Sequence, residues 1–210
     1  MKKFALTATT MFFLVLVAGA QFNIGIKAGG NLSNQDIKIP AGGSLYHGSD
    51  NRTWHAGLVS EVELFRHVYL QPQLLWVRKG ASHFSSLEDG RTKVRINYLE
   101  APVNIVYKAP FEFGTFFAGA GMYYAYGISG RQEFDGHKTN LFKDAEGWNR
   151  QDYGLSFTAG FQFRNGLYLS MNSEKGLRNV YKADGISIRN KSRSVSIGYI
   201  IDWNKLRGKG

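Results

Sequence analysis

The chain has no cysteine among its 210 residues. Neither a disulfide framework nor a thiolate metal site is therefore open to it, and stability must come from packing and hydrogen bonding alone. Long apolar runs are also missing. The longest, Phe116 to Ile128, is 13 residues with three glycines, well short of the ~20 needed for a membrane helix. No stretch shows a convincing 3.6-residue apolar period. Acidic residues are scarce beside basic ones, 16 against 26, for a formal charge of +10. Nucleic acid is a formal partner for such a charge. The export signal described next and the lack of any recognition motif argue against it.

What the chain does have begins at its start. Lys2 and Lys3 precede an apolar run from Met11 to Val17, and Ala18-Gly19-Ala20 offers small residues for a signal peptidase. That order predicts a cleaved export signal over 1–20. The apolar core is too short for an anchor that spans. Loss of Lys2 and Lys3 lowers the charge to +8.

From Gln21 onward, apolar and polar residues alternate in about eight stretches. Between Asp152 and Arg164, Tyr153, Leu155, Phe157, Ala159, Phe161 and Phe163 take one face, with Gly154, Ser156, Thr158, Gly160 and Gln162 on the other. Period 2 marks a strand with two different surroundings. The predicted strands are 22–30, 52–65, 68–79, 93–108, 111–129, 152–164, 167–175 and 191–203. Pro72 cannot donate to a ladder and suggests a bulge or local defect. Short links at Arg66-His67, Ala109-Pro110 and Asn165-Gly166 alternate with four long polar ones. Asn-Gly is itself a strong hairpin signal.

Short turns at one end and long loops at the other predict an all-β, eight-stranded, antiparallel up-and-down transmembrane barrel over 21–204. A basic tail, 205–210, follows. Both termini are expected in the periplasm and the long loops outside. A soluble barrel would alternate in the same way with its apolar face inward, and three details favour the membrane. The polar face carries small residues and charges of both signs at Lys27, Glu61, Glu63, Arg95, Glu100, Asp152 and Arg164, suiting a narrow filled lumen. Aromatic residues recur near strand ends on the apolar face, at Trp54, Trp76, Tyr107, Tyr153, Phe163, Tyr199 and Trp203, as in interfacial belts. A lipocalin-like barrel usually spares a helix, and none is legible here.

Several segments resemble a known family. Tyr98-Leu99-Glu100-Ala101-Pro102-Val103 with Val106-Tyr107-Lys108 is similar to the Tyr-Leu-Glu-Ile-Pro-Leu segment of PorT-like outer-membrane barrels of Bacteroidetes-type bacteria. Phe117-Ala118-Gly119-Ala120-Gly121 resembles the family's glycine-rich fifth strand. Asp152-Tyr153-Gly154, Ala159-Gly160-Phe161 and Gly176-Leu177-Arg178-Asn179 resemble its sixth and seventh strands. Gly25-Ile26-Lys27-Ala28-Gly29-Gly30-Asn31-Leu32-Ser33 is typical of its start. Ala101 departs from it, standing where a larger aliphatic residue is usual. The resemblance implies fold and location. One member type assists secretion and gliding, which makes an accessory role in such an apparatus one reading.

Chemistry is sparse. His83-Phe84-Ser85 with Glu88 places base, nucleophile and orienting acid near one another, the pattern of a lipid A deacylase. Their position in a polar link and the commonness of His-x-Ser favour a plain loop. His55 with Glu61 and Glu63 lacks the further ligands a metal needs. No metal and no cofactor is expected. The charged lumen residues predict a plugged barrel rather than a pore. Basic residues gather around the fourth long link, at Lys175, Arg178, Lys182, Arg189, Lys191 and Arg193. They suit phosphate-bearing lipopolysaccharide. The expected partners are thus outer-membrane lipid and, through the loops, envelope proteins. The leading reading is a structural or interaction protein, not an enzyme.

Overall fold

The computed structural model describes residues 22–38, 46–47, 49–84, 91–134, 137–143, 148–182 and 185–202. The proposed signal segment, Trp203 and the basic tail lie outside the described residues. The strands are β1 (Phe22–Lys38), β2 (Tyr46–His47), β3 (Asn51–Phe65), β4 (Val68–Lys79), β5 (Ser82–Phe84), β6 (Arg91–Phe111), β7 (Gly114–Phe134), β8 (His137–Asn140), β9 (Gln151–Phe163), β10 (Leu167–Gly176) and β11 (Ser187–Asp202). Eight of them close a ring in the order β6-β4-β3-β1-β11-β10-β9-β7, with β7 pairing back to β6. Every ladder is antiparallel. The fold is an all-β up-and-down barrel of eight strands. Closure leaves no unpaired edge in the ring, which is how a chain without cysteine satisfies its backbone.

Register fixes the geometry. From Trp54 the paired row runs through Gly30, Val195, Met171, Ala159, Ala118, Tyr107 and Val68. It returns to β3 at Phe65, well along the same strand. A closed sheet with that stagger must have strongly tilted strands. Parity then sorts the side chains. Outward on β1 stand Ile26, Ala28, Gly30 and Leu32, with Lys27, Asn31 and Ser33 buried between them.

Pairing lapses around Pro72 and resumes in the same register, from Val59↔Gln73 to Val62↔Leu70. Pro72 is thus a local defect without a bulge. The register shifts fall instead at Glu63/Phe65 and at Asn97/Tyr98. The turn expected at Ala109-Pro110 lies further on, at Glu112-Phe113, because Ala109 and Pro110 still pair with Phe116 and Thr115. On its other side β6 pairs with β4 only as far as Tyr107↔Val68. Proline's missing N–H has no partner to fail there. The hairpin at Asn165-Gly166 stands as expected, Gly166 taking a φ of 92° that favours glycine.

The long links carry structure that alternation did not reveal. Strand β1 runs on to Lys38, and β6 and β7 are 21 residues each. The short strands β2, β5 and β8 add to β1, β6 and β7. Bridges Ser49↔Ser82 and Trp148↔Tyr181 join the links in pairs. All of this lies at one end. The three short turns, the start of β1 and the close of β11 (Asn23↔Asp202) lie at the other.

Candidate functional site: the lumen and the outer wall

The middle of the lumen is filled, while at the turn end a mouth of about 530 Å3 opens beside Tyr69, Lys108, Gln162 and Ile200. Near the loops, Leu141 packs with Val94, Ile96, Tyr98, Tyr123 and Ala125. Near the turns, Val59, Val106, Phe117, Tyr168 and Ile200 make a second apolar cluster. The inward face is therefore less uniformly polar than its sequence pattern implies.

Between these plugs lies a column of paired charges. Lys79 Nζ meets Glu100 Oε2 at 2.5 Å and Glu174 Oε2 at 2.8 Å. It also sits 4.1 Å from the Tyr123 ring centroid, as a cation over a π face. The Tyr123 hydroxyl donates to Asp152 Oδ2 (3.2 Å), which also accepts from Asn190 Nδ2 (2.8 Å). Lys27 Nζ donates to Gln73 Oε1 (3.1 Å) and Asn172 Oδ1 (3.2 Å). Lower down, Lys108 Nζ meets Glu61 Oε2 at 2.5 Å and Gln162 Oε1 at 2.8 Å. Gln71 Nε2 donates to Glu61 Oε1 (3.1 Å). Buried ions demand such partners, since each loses several kcal/mol of hydration. The void beside Lys27, His55 and Glu100 measures about 20 Å3, room for one water at most.

Of the expected lumen charges, Lys27, Glu61, Glu100 and Asp152 are buried in this column. Glu63 is half-buried opposite Tyr69 at the turn end. Arg95 and Arg164 are corrections. Arg95 has the parity of outward Leu99 and Val103 on β6 and is exposed, while Arg164 is exposed in the β9–β10 turn. The cations that do the pairing, Lys79 and Lys108, and the acid Glu174 were not singled out. Continuing the inward parity of Gln71 and Gln73 to Lys79, of Glu100 to Lys108 and of Ser170 to Glu174 finds all three.

His55 joins no metal group; among the described residues no cluster of three or more ligating side chains occurs. Its ring lies between Asn31 Oδ1 (2.6 Å, Nδ1) and Ser196 Oγ (3.0 Å, Nε2). This Ser–His–Asn set has the outline of a catalytic relay. Ser196 is 2% exposed, however, and also takes a hydrogen bond from Asn172. No acyl substrate reaches it through a void of about 20 Å3. Ser85 and Glu88 lie outside the described residues, as does the side chain of His83.

The outer wall is apolar and aromatic. Trp54, Trp76, Tyr107, Tyr153, Phe163 and Tyr199 all point outward and are exposed. Arg78 sits over the Trp54 ring at 5.8 Å, and Arg178 over Tyr153 at the same distance. On β1 the outward apolar positions run from Phe22 to Leu32. Ten residue-to-residue steps at a rise of roughly 3.3 Å, tilted by about 40°, give a band of about 25 Å, the height expected of a lipid-facing girdle. Among the basic residues near the fourth link, Lys175, Lys182 and Arg193 are exposed, and Arg178, Arg189 and Lys191 half-buried. Arg189 pairs across the strands with Asp36.

Residues 17–182 match the outer membrane protein beta-barrel domain family, and the chain belongs to it. It is an integral outer-membrane protein. Among solved structures it is similar to Ail, the attachment invasion locus protein of Yersinia pestis, at 16% identity, 86% of this chain, 99% of that one and a TM-score of 0.44. OprG from Pseudomonas aeruginosa is similar at 15% identity, with 87% and 97% covered and a TM-score of 0.48. Neisserial surface protein A follows at 10% identity, 86% and 98% covered, TM-score 0.45. Curated proteins give no match.

Proposed function

We propose that this protein is a non-conducting outer-membrane barrel with a structural or interaction role, of the PorT-like kind. In this reading residues 1–20 are removed on export. Both termini and the three short turns face the periplasm, and the paired long links meet lipopolysaccharide and envelope proteins outside. The observation that carries it is the plug above the turn-end mouth: two apolar clusters and a charge column, with about 20 Å3 left beside Lys27 and His55. The purified barrel in a planar bilayer is expected to give no stable conductance. A steady, large unitary current from the monomer overturns the reading.

The enzymatic alternative, a deacylase using His83, Ser85 and Glu88, has a simple test. Ser85→Ala is expected to leave the lipid A mass spectrum of the producing cells unchanged; a changed acylation pattern restores the enzyme. Copurification after mild detergent extraction addresses an accessory role in secretion or gliding.

A further inference from the structure

The lipid-facing wall is not evenly convex. Across β3, β1, β11, β10 and β9 an outward recess of about 650 Å3 opens, lined by Leu32, Phe157, Ala159, Met171 and Val195. Its floor lies at Gly30. A Cβ added there would meet nothing within 4 Å, whereas at Gly25 or Gly121 it would strike the neighbouring strand. Packing does not require glycine at position 30; the missing side chain leaves the wall hollow.

Two cations, Arg52 and Arg193, line this hollow on the side of the long links, and two more stand beyond them. Arg52 and Arg193 flank Leu32 in one cross-strand row. One outward-facing pair nearer the loops, Lys191 and Lys175 stand directly opposite each other. Like charges so placed repel and weaken a sheet. The ion pairs of the lumen include none of the four, and Asp50 accepts from Asn34 (2.9 Å). They lie in register near Trp54, whose row is the next one toward the turns, so they stand at the level where headgroups meet acyl chains.

We infer that this wall seats one lipid A molecule of the outer leaflet. A phosphate bridges Arg52, Arg193, Lys175 and Lys191, and an acyl chain lies in the hollow over Gly30. The phosphate turns mutual repulsion into charge-assisted hydrogen bonds. The chain covers apolar surface that the barrel's own side chains leave open. The inference rests on the orientation proposed above, which puts the long links outside.

Native mass spectrometry of the detergent-solubilised mature protein with bisphosphorylated lipid A tests it. One lipid A per barrel is expected. The pair Arg52→Ala/Arg193→Ala should weaken binding about tenfold, and Gly30→Leu should weaken it with every charge in place. Lipid A stripped of phosphate should bind poorly, and phosphatidylglycerol should not compete. Equal binding by both variants, or by dephosphorylated lipid A, overturns the inference, as does equal binding of phosphatidylglycerol. Heat-modifiable gel migration reports folding, and if Gly30→Leu misfolds the arginine pair decides. Orientation is read separately by labelling Lys182→Cys on intact cells. A labelled barrel that ignores lipid A loses this site alone; an unlabelled one loses the orientation, and this inference with it.

Discussion

Lys79→Ala is expected to destabilise the barrel by about 3–5 kcal/mol, the cost of leaving buried charge uncompensated. Lys79 is 1% exposed and is the cation shared by Glu100 and Glu174. Its removal strands two carboxylates in a void too small to rehydrate both. It also withdraws the charge over Tyr123, whose hydroxyl supports Asp152. Lys108→Ala should cost less, because Gln71 still donates to Glu61. Combining Lys79→Met with Glu100→Gln and Glu174→Gln should recover much of the loss, since buried ion pairs are often replaceable by neutral groups. Urea unfolding in lipid vesicles, followed by tryptophan fluorescence, measures each variant. A loss below about 1 kcal/mol for Lys79→Ala would mean that the column is hydrated and the lumen open.

Ile26→Arg should cost about 2–4 kcal/mol in vesicles, the penalty for a cation near the bilayer midplane. Ile26 is 64% exposed and central in the outward apolar series of β1. The same change on a water-soluble barrel would cost almost nothing, because surface substitutions usually fall within about 0.5 kcal/mol. The two environments thus give opposite results for one residue. Refolding yield and urea midpoint in bilayers of graded thickness provide the measurement.

Strand existence, order and parity were legible because one face meets lipid and the other a lumen, so period 2 runs through each strand. Strand 68–79 was read to the residue, since Arg66-His67 closes it sharply at one end. The Ala109-Pro110 turn was misplaced for a physical reason: proline marks a turn only where its missing N–H would leave a partner unpaired. The reading of strand β1 stops at Gly30 because its outer half, Asn31 to Lys38, is mostly polar, with only Leu32 and Ile37 apolar. Pairing with β11 and β2 holds it extended. The lumen column was half legible. Glu61, Glu100, Asp152 and Lys27 follow from parity, whereas Arg95 was assigned by its charge against its parity. Lys108 and Glu174 fall on the polar faces of their strands by alternation, yet neither they nor Lys79 stand among the expected lumen charges, because all three lie near strand ends. The hollow at Gly30 needed coordinates, because only five strands side by side show that nothing fills it.

The absence of native cysteine makes the central claim directly measurable. Single cysteines at Ile26, Leu58, Ile105, Phe157 and Ile197 can each carry a nitroxide in lipid vesicles, read by collisions with oxygen and with a water-soluble nickel chelate. Oxygen, which concentrates in the acyl region, should dominate at all five positions. Dominant collision with the nickel chelate at these sites would contradict an apolar face turned toward lipid.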